Sequence, residues 1–180
     1  MKNFLVAGKC WIALSIAVLA LTSSTTSAQS QPNRLRIGVY DSRAVAVAYC
    51  SSAEFRDAMK SVKADYDKAK AAKDEKRMKE METRMKSQQR RQHEQGFSTA
   101  SVGAIMAKVG TSLPALAEQT GVQLIVSKWE VNYRSGEVEV VDVTDLIVGL
   151  FNVDQRALKQ IEEIRGQLPW PMEDLSGKTD

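Results

Sequence analysis

Histidine is almost missing from this sequence: His93 is the only one in 180 residues. His93-Glu94 is followed by no second histidine, so the zinc-protease helix, which needs two histidines one turn apart, is excluded. A metal site has to rest on carboxylates alone. Asp142 and Asp145 stand three apart around Thr144, but an acidic first turn and a threonine cap are what a helix start requires. Phosphate cradles are missing too. The stretch Gly110-Thr111-Ser112-Leu113-Pro114 lacks the Gly-Lys-Ser/Thr ending of a P-loop. Neither a nucleophile elbow nor a dinucleotide-binding glycine pattern occurs. The expectation is no catalytic, metal or cofactor site, hence no enzyme.

Cysteine is scarce, with Cys10 and Cys50 alone. Long apolar runs are scarce as well: the longest, Cys10 to Leu21, is 12 residues, short of the about 20 that span a bilayer. Lys2 and Lys9 precede this run, and Thr26-Ser27-Ala28 follows it as a small-x-small cleavage site. These features make residues 1–28 a secretory signal peptide by expectation. The mature chain then begins near Gln29 in the periplasm, and Cys50 is left without an internal partner. Cys50 ends the apolar run Ala44 to Tyr49, so it is expected to be buried; an intermolecular bridge is the alternative. DNA as a partner is disfavoured outside the cytoplasm.

Removing 28 of the 180 residues leaves 152, enough for one modest domain. Charge is unevenly spread over it. Between Glu54 and Glu94 there are 13 Lys/Arg against 9 Asp/Glu, a net of +4, whereas the rest of the mature chain has 10 basic and 13 acidic residues, a net of −3. A basic segment on a mildly acidic body implies a local electrostatic role.

That segment also lacks helix breakers, having no Gly or Pro from Ala53 to Gln95. Ser51-Ser52 offers a helix start with Glu54 in the first turn, and strong helix formers follow. Phe55, Met59, Val62, Tyr66 and Ala69 repeat at four-three spacing, the narrow seam of a coiled coil. The phase breaks between Lys70 and Arg77 and resumes at Met78, Met81 and Met85. One long helix with a stutter fits this break. So does a hairpin with legs at 53–72 and 75–94, Asp74 capping the return leg; the equal legs favour it. Gly96 to Thr99 ends the segment.

Around it, Leu35 to Tyr40 alternates as a half-buried strand does, and Asp41 or Ser42 can cap the helix that follows. Ala100 to Thr120 has one apolar face, weakened at Gly110 and restarted at Pro114. Strands are expected at 122–127 and 138–142, separated by a turn region at 132–137. Thr144 is expected to cap a short apolar helix, a last helix to cover 154–166, and the tail Leu168 to Met172 to be extended.

This order of elements resembles the Skp/OmpH family of periplasmic chaperones. The residues that carry the likeness are Leu35 to Asp41, then Gly121 to Val126 through Trp129, Tyr133-Arg134-Ser135, and Val141 to Asp145. The likeness covers about residues 35 to 151. Residues 152–180 have no counterpart in it, and the helical arm at 53–95 is shorter than in the best-known members. The resemblance implies an α+β fold, a small β-sheet body with a protruding charged helical arm, assembled as a homotrimer. It also implies an ATP-independent holdase whose clients are unfolded proteins, such as outer-membrane protein precursors. Candidate client contacts are the cations Lys79, Arg84, Lys86, Arg90 and Arg91 with Phe55, Met59, Met78, Met81 and Met85; an anionic membrane surface is a further contact. The methionines also read as seam packing. The alternative reading is a structural envelope protein whose arm forms a fixed coiled coil without chaperone activity.

Overall fold

The computed structural model describes residues 34–175; the expected signal peptide lies outside the described residues. The chain opens with β1 (Arg36–Tyr40) and turns at once into α1 (Ser42–Ser51). Asp41 is the cap, its carboxylate accepting from the Arg43 amide. Helix α1 is apolar nearly all round, the mark of a buried helix, and six of its ten residues are buried. It forms the centre of the body.

Ser52 ends α1 and caps α2 (Ala53–Ala71), accepting from the Phe55 amide. Helix α3 (Glu75–Phe97) returns, with Asp74 accepting from the Arg77 amide. The two helices pack on one another as a hairpin, so the single long helix is not formed. No glycine makes the turn. Lys73 takes a left-handed backbone at φ 53, Asp74 donates to the Ala69 carbonyl at 3.0 Å and Lys73 to that of Lys70 at 3.1 Å. These are the two bonds of a Schellman cap, with lysine where glycine is usual.

The expected helix over 100–120 is broken into three. Helix α4 (Gly103–Met106) gives way to a 3-10 stretch (Ala107–Ser112) around Gly110, and α5 (Leu113–Thr120) restarts with Pro114 in its first turn. Gly121 closes α5 in the left-handed region at φ 67. Next come β2 (Leu124–Ser127), a 3-10 turn (Lys128–Glu130) and β3 (Glu139–Asp142). β2 starts two residues later than expected, because Val122 is buried in the body and the Gln123 side chain bonds the Arg36 amide at 2.7 Å.

The sheet has the order β2-β1-β3, both pairings parallel. β2 and β3, neighbours in sequence, therefore do not pair with each other. One face, bearing Gly38, Tyr40, Ile125 and Val141, turns to the core. On the other, the rows Leu124–Ile37–Val140 and Val126–Val39–Asp142 lie side by side, and Leu124 and Val140 are exposed. All-parallel sheets are ordinarily covered on both faces. Among the described residues this one is covered on one.

Helix α6 (Thr144–Gly149) corrects the expected threonine cap. The Asp142 carboxylate accepts from the Thr144 amide at 2.8 Å, while the Thr144 hydroxyl accepts from the Asp41 amide at 3.0 Å. Thr144 thus ties α6 to the β1–α1 junction. Asp154 caps α7 (Gln155–Arg165), which packs against α1 and buries Ala157 and Ile161. The tail runs irregularly to α8 (Met172–Leu175), its Trp170 amide donating to the Phe97 carbonyl at 2.8 Å. The stretch from Asn152 to Leu175 thus packs onto the body and buries Ala157, Ile161 and Leu175.

Candidate functional site

Along the arm, the seam draws in the apolar candidates. Met81 is buried, and Phe55, Met59, Met78 and Met85 are half-buried. The Gln88 amide faces the Met59 sulfur at 3.6 Å, and the Tyr66 hydroxyl crosses to Glu82 at 2.8 Å. The methionines pack the hairpin, and Met81 is closed to any client while the legs stay together. The five cations are all exposed, but they do not form one patch. At about 100° per residue, Lys79, Lys86 and Arg90 share one stripe of α3, and Arg84 and Arg91 share another roughly 130° away. Arg90 pairs with Glu94 at 3.7 Å.

The second stripe borders a cleft of about 340 Å³ where the arm meets the body. Residues 84, 88, 91 and 95 recur at helical spacing and so face one way; across from them stand Tyr49, Phe55 and Ile105. Tyr49 meets Phe55 edge-on at 5.4 Å and Phe151 at 6.0 Å, which anchors this wall in the core. Lys108 lies 2.6 Å from Glu54 and 5.2 Å from the Tyr49 ring. Cys50 also lines the cleft and is half-buried, not buried as expected, because it sits at the exposed end of α1. Burial still pushes its thiol up to about 11, so thiolate is scarce at neutral pH.

A third cluster was read from the sequence only as a helix cap. Asp41 and Arg43 are both buried and pair at 3.0 Å. One Asp41 oxygen accepts from the Arg43 amide and Nε and from the Trp129 indole at 3.0, 3.2 and 3.3 Å. The other accepts from Arg43 Nη2 at 3.0 Å and Lys128 Nζ at 2.8 Å. Arg43 Nη1 donates to the Gln167 carbonyl at 2.9 Å, and both cations lie over the Trp129 ring. Burial alone would raise the Asp41 carboxyl; hydrogen bonds and charge from Arg43 and Lys128 outweigh it and hold the pKa at about 2. A carboxylate has about four lone-pair sites, and these are spent. Asp41 has no capacity left to act as a base or a metal ligand, so the cluster is a lock joining the ends of β1 and β2 to the tail. The signal for it was a charged residue, Arg43, opening an apolar helix: a cation there needs a buried partner.

Compared with protein-family models, curated proteins and solved structures, the chain finds no match among any of them.

Proposed function

We propose that this protein is a non-catalytic, oligomeric binding protein of the bacterial periplasm, of the Skp/OmpH chaperone kind, that holds unfolded or acidic polypeptide segments without ATP. The observation that carries this reading is the arm. Its helices have 19 and 23 residues, yet their buried residues are Ala69 and Met81 along the seam and Gln95 and Gly96 at the base. A helix pair of that length with so little buried is dressed for contact outside its own body. Lys79, Arg84, Lys86, Arg90 and Arg91 supply the attraction, which gathers acidic segments before any apolar contact forms. An anionic membrane surface meets the same cations.

The open sheet face supports the assembly. Leu35, Ile37, Leu124, Val126 and Val140 make most of it apolar, with Asp142 at its edge paired to Arg165, so further copies of the chain cover it better than water does. A homotrimer joined there brings three arms together around one space. Light scattering at micromolar concentration checks this, and a stable monomer would refute the assembly. The export step rests on the signal peptide, and intact mass of the envelope protein should place the N-terminus at or near Gln29.

The structural reading has its own support, since the seam holds Met81 and its neighbours in packing contact. One experiment separates the two. Purified protein is asked to keep an unfolded outer-membrane protein soluble, at low and high salt. The holdase reading expects the variant with Lys79, Arg84, Lys86, Arg90 and Arg91 changed to Gln to lose most capture and most salt dependence, with helix content unchanged. Capture that ignores all five changes refutes the electrostatic mechanism. Val62→Asp, which opens the seam, then decides whether the arm is needed for assembly alone.

A further inference from the structure

We infer that the cleft at the base of the arm is a binding site for an amphipathic carboxylate, an apolar group about the size of one side chain that bears a carboxylate. Its volume, about 340 Å³, is at the lower end of the range for small-ligand pockets, roughly 300–1,000 Å³. It admits a single residue or a small acid, not a length of polypeptide. Its two walls differ in chemistry. Tyr49, Phe55 and Ile105 make one wall apolar, and the aromatic contacts of Tyr49 with Phe55 and Phe151 hold it in shape before a ligand arrives. Arg84 and Arg91 stand on the other, and neither has an ion-pair partner among the described residues. Arg77 and Arg90 of the same helix are paired, with Glu80 and Glu94.

Among the described residues, no aspartate or glutamate lines the cleft. Positive charge in a concave site with apolar walls is focused, because low-dielectric walls concentrate the field. Guanidinium groups match a carboxylate in two parallel hydrogen bonds, which an ammonium does not. An inorganic anion leaves the aromatic wall unused, and a neutral apolar group leaves both arginines unused. Only a ligand with both parts uses the whole cleft. Two sources carry that chemistry: the terminal residue of a peptide and a free small acid. The site shares Phe55, Arg84 and Arg91 with the proposed capture surface and differs from it in that Lys79, Lys86 and Arg90 do not line it.

Titration calorimetry of the full chain with N-acetyl-L-phenylalanine tests the assignment. Binding is expected, with N-acetyl-L-phenylalaninamide and acetate each at least about tenfold weaker. Ser87→Trp, placed on an exposed position of the rim, should fill the cleft and remove binding while circular dichroism stays unchanged. Arg84→Gln with Arg91→Gln should weaken binding about tenfold, and Lys79→Gln with Lys86→Gln should not. The acid should also slow alkylation of Cys50, read on the peptide that carries it. Equal affinity for the amide, undiminished binding in Ser87→Trp, or neither heat nor Cys50 protection at millimolar acid would each overturn the proposal. A short peptide ending in a free phenylalanine then assigns the source. Tighter binding than the acetylated residue points to a peptide terminus and exclusion points to a free acid, and both uphold the site. Loss of this binding in Ser87→Trp, with solubilisation of an unfolded client intact, separates the cleft from the holdase reading.

Discussion

Along the legs of the arm, ion pairs join residues three or four apart on one helix: Lys60 with Asp57, Lys63 with Asp67, Lys68 with Asp65, Arg77 with Glu80, and Arg90 with Glu94. In the body the charged contacts span the chain, from Asp41 to Lys128 and from Arg43 to the carbonyl of Gln167. Local exposed pairs contribute only about 0.3–0.5 kcal/mol each. The arm is therefore held by helix propensity, caps and a thin seam, and it leaves its surface free for other molecules. In the lock, Asp41 and Arg43 are buried, so a missing partner leaves a charge poorly placed for hydration. The difference predicts that damage to the body unfolds the protein, whereas changes to the arm surface alter only what it touches.

The sharpest way to break the comparison is Asp41→Asn. It leaves Arg43 buried without its counter-charge, and removing one partner of a buried pair costs about 3–5 kcal/mol. Urea unfolding should show a loss of that order; a loss near that of an arm-surface change would mean that the lock is not what joins tail to body. Ile161→Ala comes next. Ile161 is 3 % exposed in the face of α7 that meets α1, and large-to-small changes in such sites cost about 2–4 kcal/mol. A loss under about 1 kcal/mol in the same assay would make α7 a dispensable cover.

Acid gives a smaller effect of known direction. The Asp41 pKa falls from an ordinary 3.8 to about 2 on folding, so its contribution is complete above the unfolded value. It fades as pH falls from about 4 towards 2, a loss of about 2 kcal/mol. Thermal melts across this window should show the loss in the native chain and a flatter profile in Asp41→Asn. The smallest effect is a gain. Lys73 adopts a left-handed backbone at φ 53 that glycine tolerates without strain, so Lys73→Gly should stabilise the hairpin by about 0.5–1 kcal/mol. Lower helix content in this variant would show that the turn is not strained.

The arm was readable because its information is local. Phe55 to Ala69 and Met78 to Met85 carry the seam, and Ser52 and Asp74 carry the caps, within a few residues of what they stabilise. The turn was the weak point. A Schellman cap built on lysine has no glycine to announce it, so the spacing alone left a continuous helix open. In the body, the strands at β1, β2 and β3 were visible as short apolar stretches. Their order was not, because a strand's pattern records which residues face the core and says nothing of which strand lies beside it. Cys50, at the end of an apolar run, is expected inside and instead lines, half-buried, a cleft that α3 and α4 close against α1 and α2. The cleft is half visible in the sequence: Phe55 stands on the seam and Arg84 and Arg91 in the basic stretch, while Tyr49 and Ile105 are marked only as parts of apolar stretches.

The sequence by itself determined the helices of the arm, their charge and their caps, since those depend on neighbours one turn away. Tertiary structure alone decided that β1 lies between two parallel strands, with one apolar face uncovered among the described residues. It also decided that Arg43 is buried against Asp41 and bonded to the carbonyl of Gln167, and that α7 packs on α1 with Ala157 and Ile161 buried. These features join residues separated by up to 124 positions along the chain. Contacts of that reach depend on how whole elements pack together, and no local spacing or propensity encodes them.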